Sequence, residues 1–363
     1  MNRPPPELQV YPTVISANVI GGIAMAQQLG VRWSRRRVLK SAAALSLCAY
    51  LPARADSAWE SSVALPLRVQ EIYPCLHRGS LWVAGGLSPD VPTVQNNISD
   101  RVHRFDIKEG VWTKEPSLPE PRHHGFLVSL DNNLFLMSGF VAANGGRWSA
   151  SRDILKLSDS GWSRVATLPS AQCETVAAVN GARIHLAGGR APGRANANWN
   201  DQRDIAIHQV FDSDTGQIET ASPLPMARNS AASFVIDAQW HVIAGRTVGG
   251  GNATQHDVYD FDNDTWRQAA PLPQAQGGLA ASSIGSRGYV FGGEYFSSDG
   301  GGVYAEVWEY DSVADRWHEA GEMPVPRHGL GAVAVAESIY VVAGATEAGG
   351  SGTSNRLSVF TPN

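Results

Sequence analysis

The chain has 363 residues, of which 17% are charged, with 37 glycines and 11 tryptophans. That length serves one large domain or two small ones, and a glycine- and tryptophan-rich chain without long charged helical runs points to short strands and tight turns. Residues 1–55 hold seven bases and one acid, which leaves 22 bases against 33 acids in the remainder, a net charge of −11; so acidic a body argues against nucleic-acid binding, which needs a basic footprint.

The N-terminal segment reads as an address. Ser34-Arg35-Arg36-Arg37-Val38-Leu39-Lys40 has the form of a twin-arginine export motif, a largely apolar run follows from Ser41 to Leu51, and Ala53-Arg54-Ala55 supplies a small-x-small cleavage pattern after Pro52. Eleven residues are too few to span a bilayer, which takes about twenty, so no membrane span is expected. Residues 1–24 fit no part of a signal, which makes Met25 the expected start and places the mature N-terminus near Asp56. The expected destination is the periplasm or the cell exterior. Cys48 follows Leu47, where a lipoprotein signal requires a small residue. Cys75 and Cys173 fall in separate, non-adjacent repeats, so no disulfide is expected. No zinc spacing, P-loop, dinucleotide fingerprint or nucleophile elbow is present, and neither metal nor cofactor is expected.

From residue 56 onward the chain repeats itself. Six Leu/Met-Pro pairs end at Pro66, Pro119, Pro169, Pro225, Pro273 and Pro324. Nineteen residues after each proline a small pair begins, at Gly85, Ser138, Gly188, Ala244, Gly292 and Ala343, and seven residues before each stands Trp59, Trp112, Trp162, Ile218, Trp266 or Trp317. Between proline and small pair lies an apolar hairpin. In the second repeat Gly125–Leu130 and Leu134–Met137 flank an Asp131-Asn132-Asn133 turn. A variable loop, a third strand and a Trp-bearing fourth strand complete each repeat of about fifty residues, which is the content of one propeller blade.

Over roughly Trp59 to Phe360 this pattern resembles the kelch-repeat family. The resemblance implies an all-β fold, a six-bladed kelch β-propeller over residues 56–363. The last repeat lacks a Trp strand and the first Trp strand has no repeat before it, so the N-terminal strand is expected to join the last blade and close the ring.

Turns between first and second strands, and between third and fourth, are short, as at Asn180-Gly181, Gly285-Ser286 and Asn263-Asp264. The second-to-third-strand loops are long and share the opposite face, where function tends to sit. Arginines collect at that face. Arg122, Arg228 and Arg327 stand three residues after a proline, with Gln172 and Gln276 at the same place in two other repeats, and Arg190, Arg246 and Glu294 follow small pairs directly. His123 and His328 adjoin two of these arginines, His124 reads as a rim residue, and Trp148, Trp199, Tyr295 and Phe296 are placed to stack on sugar faces. Arginine forks suit carboxylates. Arg122, His123, Arg190, Arg228, Arg327 and His328 are therefore the expected ligand-binding set, with Glu294 and Arg246 as catalytic candidates. In blade count, size and export the chain is similar to bacterial kelch proteins that interconvert the anomers of sialic acid. That resemblance implies a propeller binding an anionic carbohydrate or similar carboxylate, with sugar mutarotase or epimerase chemistry. The alternative is a non-catalytic protein-interaction module of the cell envelope.

Overall fold

The computed structural model describes residues 58–91, 97–143, 148–192, 201–298 and 300–363. The export signal, the start at Met25 and Trp199 lie outside the described residues. The compact unit that carries the strands spans Asp56–Asn363. Its described residues contain no α-helix, and none long and apolar enough to cross a membrane.

Six four-stranded antiparallel sheets make six blades. The first comprises Cys75–His77, Ser80–Ala84, Val102–Asp106 and Val111–Glu115. Four more follow the same pattern within 126–167, 176–220, 232–268 and 280–322. The sixth takes Gly331–Val335, Ser338–Val342 and Leu357–Thr361, and its outermost strand is the N-terminal Ala58–Ser61, paired antiparallel through Trp59↔Phe360. The second strands are mostly buried, Ser80–Ala84 along its whole length, because neighbouring blades cover both faces; they read as largely apolar runs rather than alternations. The outer strands, such as Val111–Glu115, are largely exposed.

The repeated tryptophans stitch blade to blade. Trp112 Nε1 donates to Val63 O (2.8 Å), Trp162 to Pro116 O (3.1 Å), Trp266 to Ser222 O (2.8 Å) and Trp317 to Ala270 O (2.8 Å). Each acceptor lies four residues beyond the equivalent position of the preceding repeat. One ring therefore fills the widening wedge and satisfies a carbonyl across it.

The small pairs mark the closest approach of adjacent blades. Gly292 has φ +62°, and a Cβ on it would sit 2.0 Å from the Arg327 carbonyl oxygen of the next blade. The following amide, Gly293 N, donates to that same oxygen at 3.0 Å. The bond recurs at Gly86–Arg122, Gly189–Arg228 and Gly245–Gln276, and Gly344 N donates to Val69 O at 2.9 Å between the last blade and the first.

Around the axis runs a collar. The residues five positions after each proline are Glu71, His124, Glu174, Ser230, Gly278 and Gly329, and all six have φ between +49° and +70°. Their amides bond in sequence: Glu71 N to Gly329 O, His124 N to Glu71 O, Ser230 N to Glu174 O, Gly278 N to Ser230 O and Gly329 N to Gly278 O, at 2.7–3.2 Å. The left-handed conformation is costly for residues bearing a side chain. Here it turns backbone donors and acceptors toward the neighbouring blades at five of the six junctions.

Candidate functional site

On the face carrying the long second-to-third-strand loops, a cavity of about 800 Å³ opens above the collar. Two sets of residues build it. The collar contributes Glu71, His124 and Glu174. The residues just after the small pairs contribute Leu87, Arg190, Arg246 and Glu294. The latter positions are registered because each makes an antiparallel bridge to the residue four after its own proline, as in Cys173↔Arg190, Asn229↔Arg246 and Gly277↔Glu294. Trp148, Tyr295, Phe296 and Tyr304 form aromatic walls.

The charged groups interlock. His124 Nε2 lies 2.8 Å from Glu71 Oε2 and 3.3 Å from Glu174 Oε1. Arg190 donates to Glu174, whose second oxygen accepts from Ser230 Oγ at 2.7 Å. Arg246 donates to Glu294, whose second oxygen accepts from Gly349 N at 2.7 Å. His328 Nδ1 stands 3.5 Å from Glu294 and 3.7 Å from Glu71 and so completes the circuit. Gly329 makes room for it: a Cβ there would come within 2.9 Å of the Glu71 carboxyl carbon.

Burial alone would raise the Glu71 carboxyl, but His124 beside it, with help from His328, brings it down to about 2. Glu174 likewise resists burial through Arg190, His124, Arg246 and the Ser230 hydroxyl, and falls to about 2. Both carboxylates are therefore ionised at neutral pH although they lie in a desolvated ring. Below the collar, Tyr73 is pushed well above the usual phenol range by its enclosure and then by Glu174 and Glu71. Its ring stacks on Phe126 at 4.7 Å.

The structure divides the sequence-selected residues. Arg190, Arg246 and Glu294 line the chamber. His328 is buried beneath the charged circuit, with Nε2 against Glu347 O at 2.9 Å. His123 is buried against His124 (Nδ1 to Nδ1, 2.6 Å), Phe140 and Trp148. Arg122, Arg228 and Arg327 do not line it. Each is 1% exposed and turns back into its own blade, donating to the carbonyl of the first small-pair residue, Ser138, Ala244 or Ala343, at 2.8–3.1 Å. Gln172 and Gln276 make the same bond, to Gly188 O and Gly292 O. In five of the six blades the position holds a long side chain ending in N–H donors, Val69 taking it in the first, so arginine and glutamine interchange there and the charge points at no ligand. Glu71 and Glu174 were absent from the expected set. Their signal was positional: they sit two residues further from the proline than the arginines do.

Residues 74–119 match the Kelch motif family. Kelch-like protein terF of Aspergillus terreus is 25% identical over 283 residues, covering 76% of this chain and 61% of that protein. Kelch-like protein 34 of Homo sapiens is 28% identical over 156 residues, 41% of this chain and 24% of that protein. The chain thus spans about three fifths of the first relative and a quarter of the second. Among solved structures, that of YjhT aligns with a TM-score of 0.70 at 16% identity, covering 82% of this chain and 96% of the other; the likeness concerns the fold alone.

Proposed function

We propose that this six-bladed propeller of kelch repeats binds an acidic carbohydrate in the axial chamber and exchanges the anomers of the free sugar. One observation carries the reading: a single cavity of about 800 Å³ brings two guanidinium groups, three carboxylates and an imidazole together with aromatic walls. Arginine suits a ligand carboxylate, and aromatic faces suit the C–H face of a sugar ring. Anomer exchange needs a base to take the anomeric hydroxyl proton as the C–O ring bond opens, and an acid to protonate the departing ring oxygen; the freed carbonyl then turns its other face to that hydroxyl and reclosure reverses the proton transfers, with no net change in atoms or electrons. Glu294, oriented by Arg246 and Gly349, is the base of this scheme. His124, set between Glu71 and Glu174, is the acid.

The test is a thermal-shift screen of the purified protein against acidic and neutral sugars, followed by NMR anomer exchange with any sugar that binds. A ligand at a hundred times its Kd adds about 2.7 kcal/mol of apparent stability. Arg190→Gln and Arg246→Gln are expected to remove the shift, and Glu294→Gln to stop exchange while binding persists. If no sugar shifts the melting temperature, the protein-interaction module becomes the better reading. The same proposal places the chain in the periplasm or outside the cell, on the strength of the Ser34–Lys40 run and the apolar stretch behind it. Cell fractionation that finds Arg35→Lys/Arg36→Lys exported as well as the unaltered chain would refute that placement.

A further inference from the structure

We infer that the chamber takes an oligosaccharide rather than a single sugar, with an acidic ring on the charged floor and the next ring on an aromatic lip formed by Tyr295 and Phe296. The inference rests on the carbohydrate reading above and specifies its substrate. At about 30 Å³ per water molecule, a chamber of about 800 Å³ would leave most of its space to water around one sugar ring. Cavities of this size ordinarily enclose drug-sized ligands, which leaves room beside one sugar ring for a second.

The lip is built for the purpose. Glu294–Ser297 and Gly300–Val303 form a two-stranded hairpin in the loop of the fifth blade. Along its first strand exposure climbs from 2% at Glu294 to 41% at Tyr295 and 64% at Phe296. Glu294 and Phe296 are two residues apart, so their side chains leave the same face of the strand about 7 Å apart, roughly one sugar ring along a chain. Among the described residues the exposed large apolar side chains are otherwise valines; the two exposed aromatics are consecutive and both border the chamber, leaving opposite faces of the strand. Exposed aromatic faces at the chamber mouth offer a surface that the C–H face of a sugar ring can cover.

The hairpin is also held in place. A Cβ on Gly302 would lie 2.5 Å from the Tyr295 hydroxyl, and one on Gly301 would lie 2.6 Å from the Tyr295 carbonyl oxygen. The glycines therefore let the Tyr295 ring lie flat across the partner strand, where it meets Tyr304 at 5.1 Å between centroids. Asn252 Nδ2 ties the hairpin base to the fourth blade through Glu294 O at 2.7 Å. A platform fixed in this way loses little conformational freedom when a ring stacks on it.

Calorimetric titration decides the matter, with N-acetylneuraminic acid against its 2,8-linked dimer, and galacturonic acid against trigalacturonic acid, each oligomer keeping a free anomeric centre on an acidic ring. Affinity is expected to rise at least tenfold from single ring to oligosaccharide in at least one pair. Phe296→Ala, an exposed substitution whose fold is checked by its melting temperature, is expected to bring that ratio close to one. Equal affinity for short and long ligands, or a ratio unchanged in Phe296→Ala, overturns the inference and leaves the carbohydrate reading standing. Failure of every saccharide to bind removes both.

Discussion

Replacing Arg228 by alanine is expected to destabilise the protein by about 3–5 kcal/mol, the cost of leaving a buried charge without its partner. Arg228 donates through Nε to Ala244 O (2.8 Å), through NH2 to Val242 O (3.1 Å) and through NH1 to Met226 O (3.2 Å) and Asp257 Oδ2 (2.7 Å). Asp257 is 1% exposed, so alanine strands a carboxylate together with the carbonyls. Arg122 occupies the same register but contributes its bond to Ser138 O, and its nearest carboxylate, Glu120, is exposed and 4.0 Å away. Arg122→Ala should therefore cost about 1–3 kcal/mol, the cost of one unsatisfied buried polar group, and Arg122→Gln should be close to neutral, because Gln172 and Gln276 make the same bond. Arg228→Gln is expected to recover most of its stability when Asp257→Asn accompanies it. Denaturant unfolding of these variants measures the costs. Equal losses for Arg122→Ala and Arg228→Ala would refute the role given to Asp257.

Acidification from pH 7 to pH 5 is expected to remove several kcal/mol of stability, before Glu71 or Glu174 is protonated. Two imidazole pairs lie in the wedges around the third and fourth blades. His185 Nδ1 meets His208 Nε2 at 2.9 Å, and His241 Nδ1 meets His256 Nε2 at 2.8 Å. His208 Nδ1 donates to Ser222 O and His256 Nδ1 to Ala270 O, so Nε2 of each is the acceptor for its partner and both pairs are held neutral. Burial, and then the neighbouring imidazole, lowers His185 and His241 to about 3, with Arg183 and Arg267 adding to the effect and Asp264 and Asp315 opposing it. Burial lowers His256 to about 4 against the pull of Asp315, and lowers His208 against that of Asp264. The folded values lie below the free value, so the unfolded chain takes up protons first. Stability is whole above about pH 6.5 and falls with acid by about 1.4 kcal/mol per pH unit for each imidazole. Glu71 and Glu174, both near 2, weaken the fold below the ordinary carboxylate range of about 4.3. Unfolding midpoints at pH 7.5, 6.5 and 5.5 test this, with His241→Gln/His256→Gln as control. The control is expected to be less stable at every pH yet shallower in slope. A slope as steep as that of the unaltered protein would refute the assignment.

The repeat was legible because its markers are chemical. Proline, the small pair and tryptophan each do one steric job that few other residues can do, and they recur at constant offsets. Arg190, Arg246 and Glu294 were legible for the same reason, being tied by register to the small pairs. The arginines after the prolines misled because charge at a strand mouth looks the same whether the side chain faces a ligand or folds back sixteen residues to its own carbonyl. The interchange of arginine with glutamine at that place was the available clue. The collar was harder to see. Glu71, His124, Glu174, Ser230, Gly278 and Gly329 share no side-chain chemistry; what they share is a left-handed backbone, which only the glycines advertise.

The collar also makes the chamber floor one-sided. Glu71, His124 and Glu174 enter it from the first three blades, while the same places in the other three hold Ser230, Gly278 and Gly329. A sixfold scaffold thereby presents a lopsided floor, on which a ligand with one polar edge has one favoured orientation.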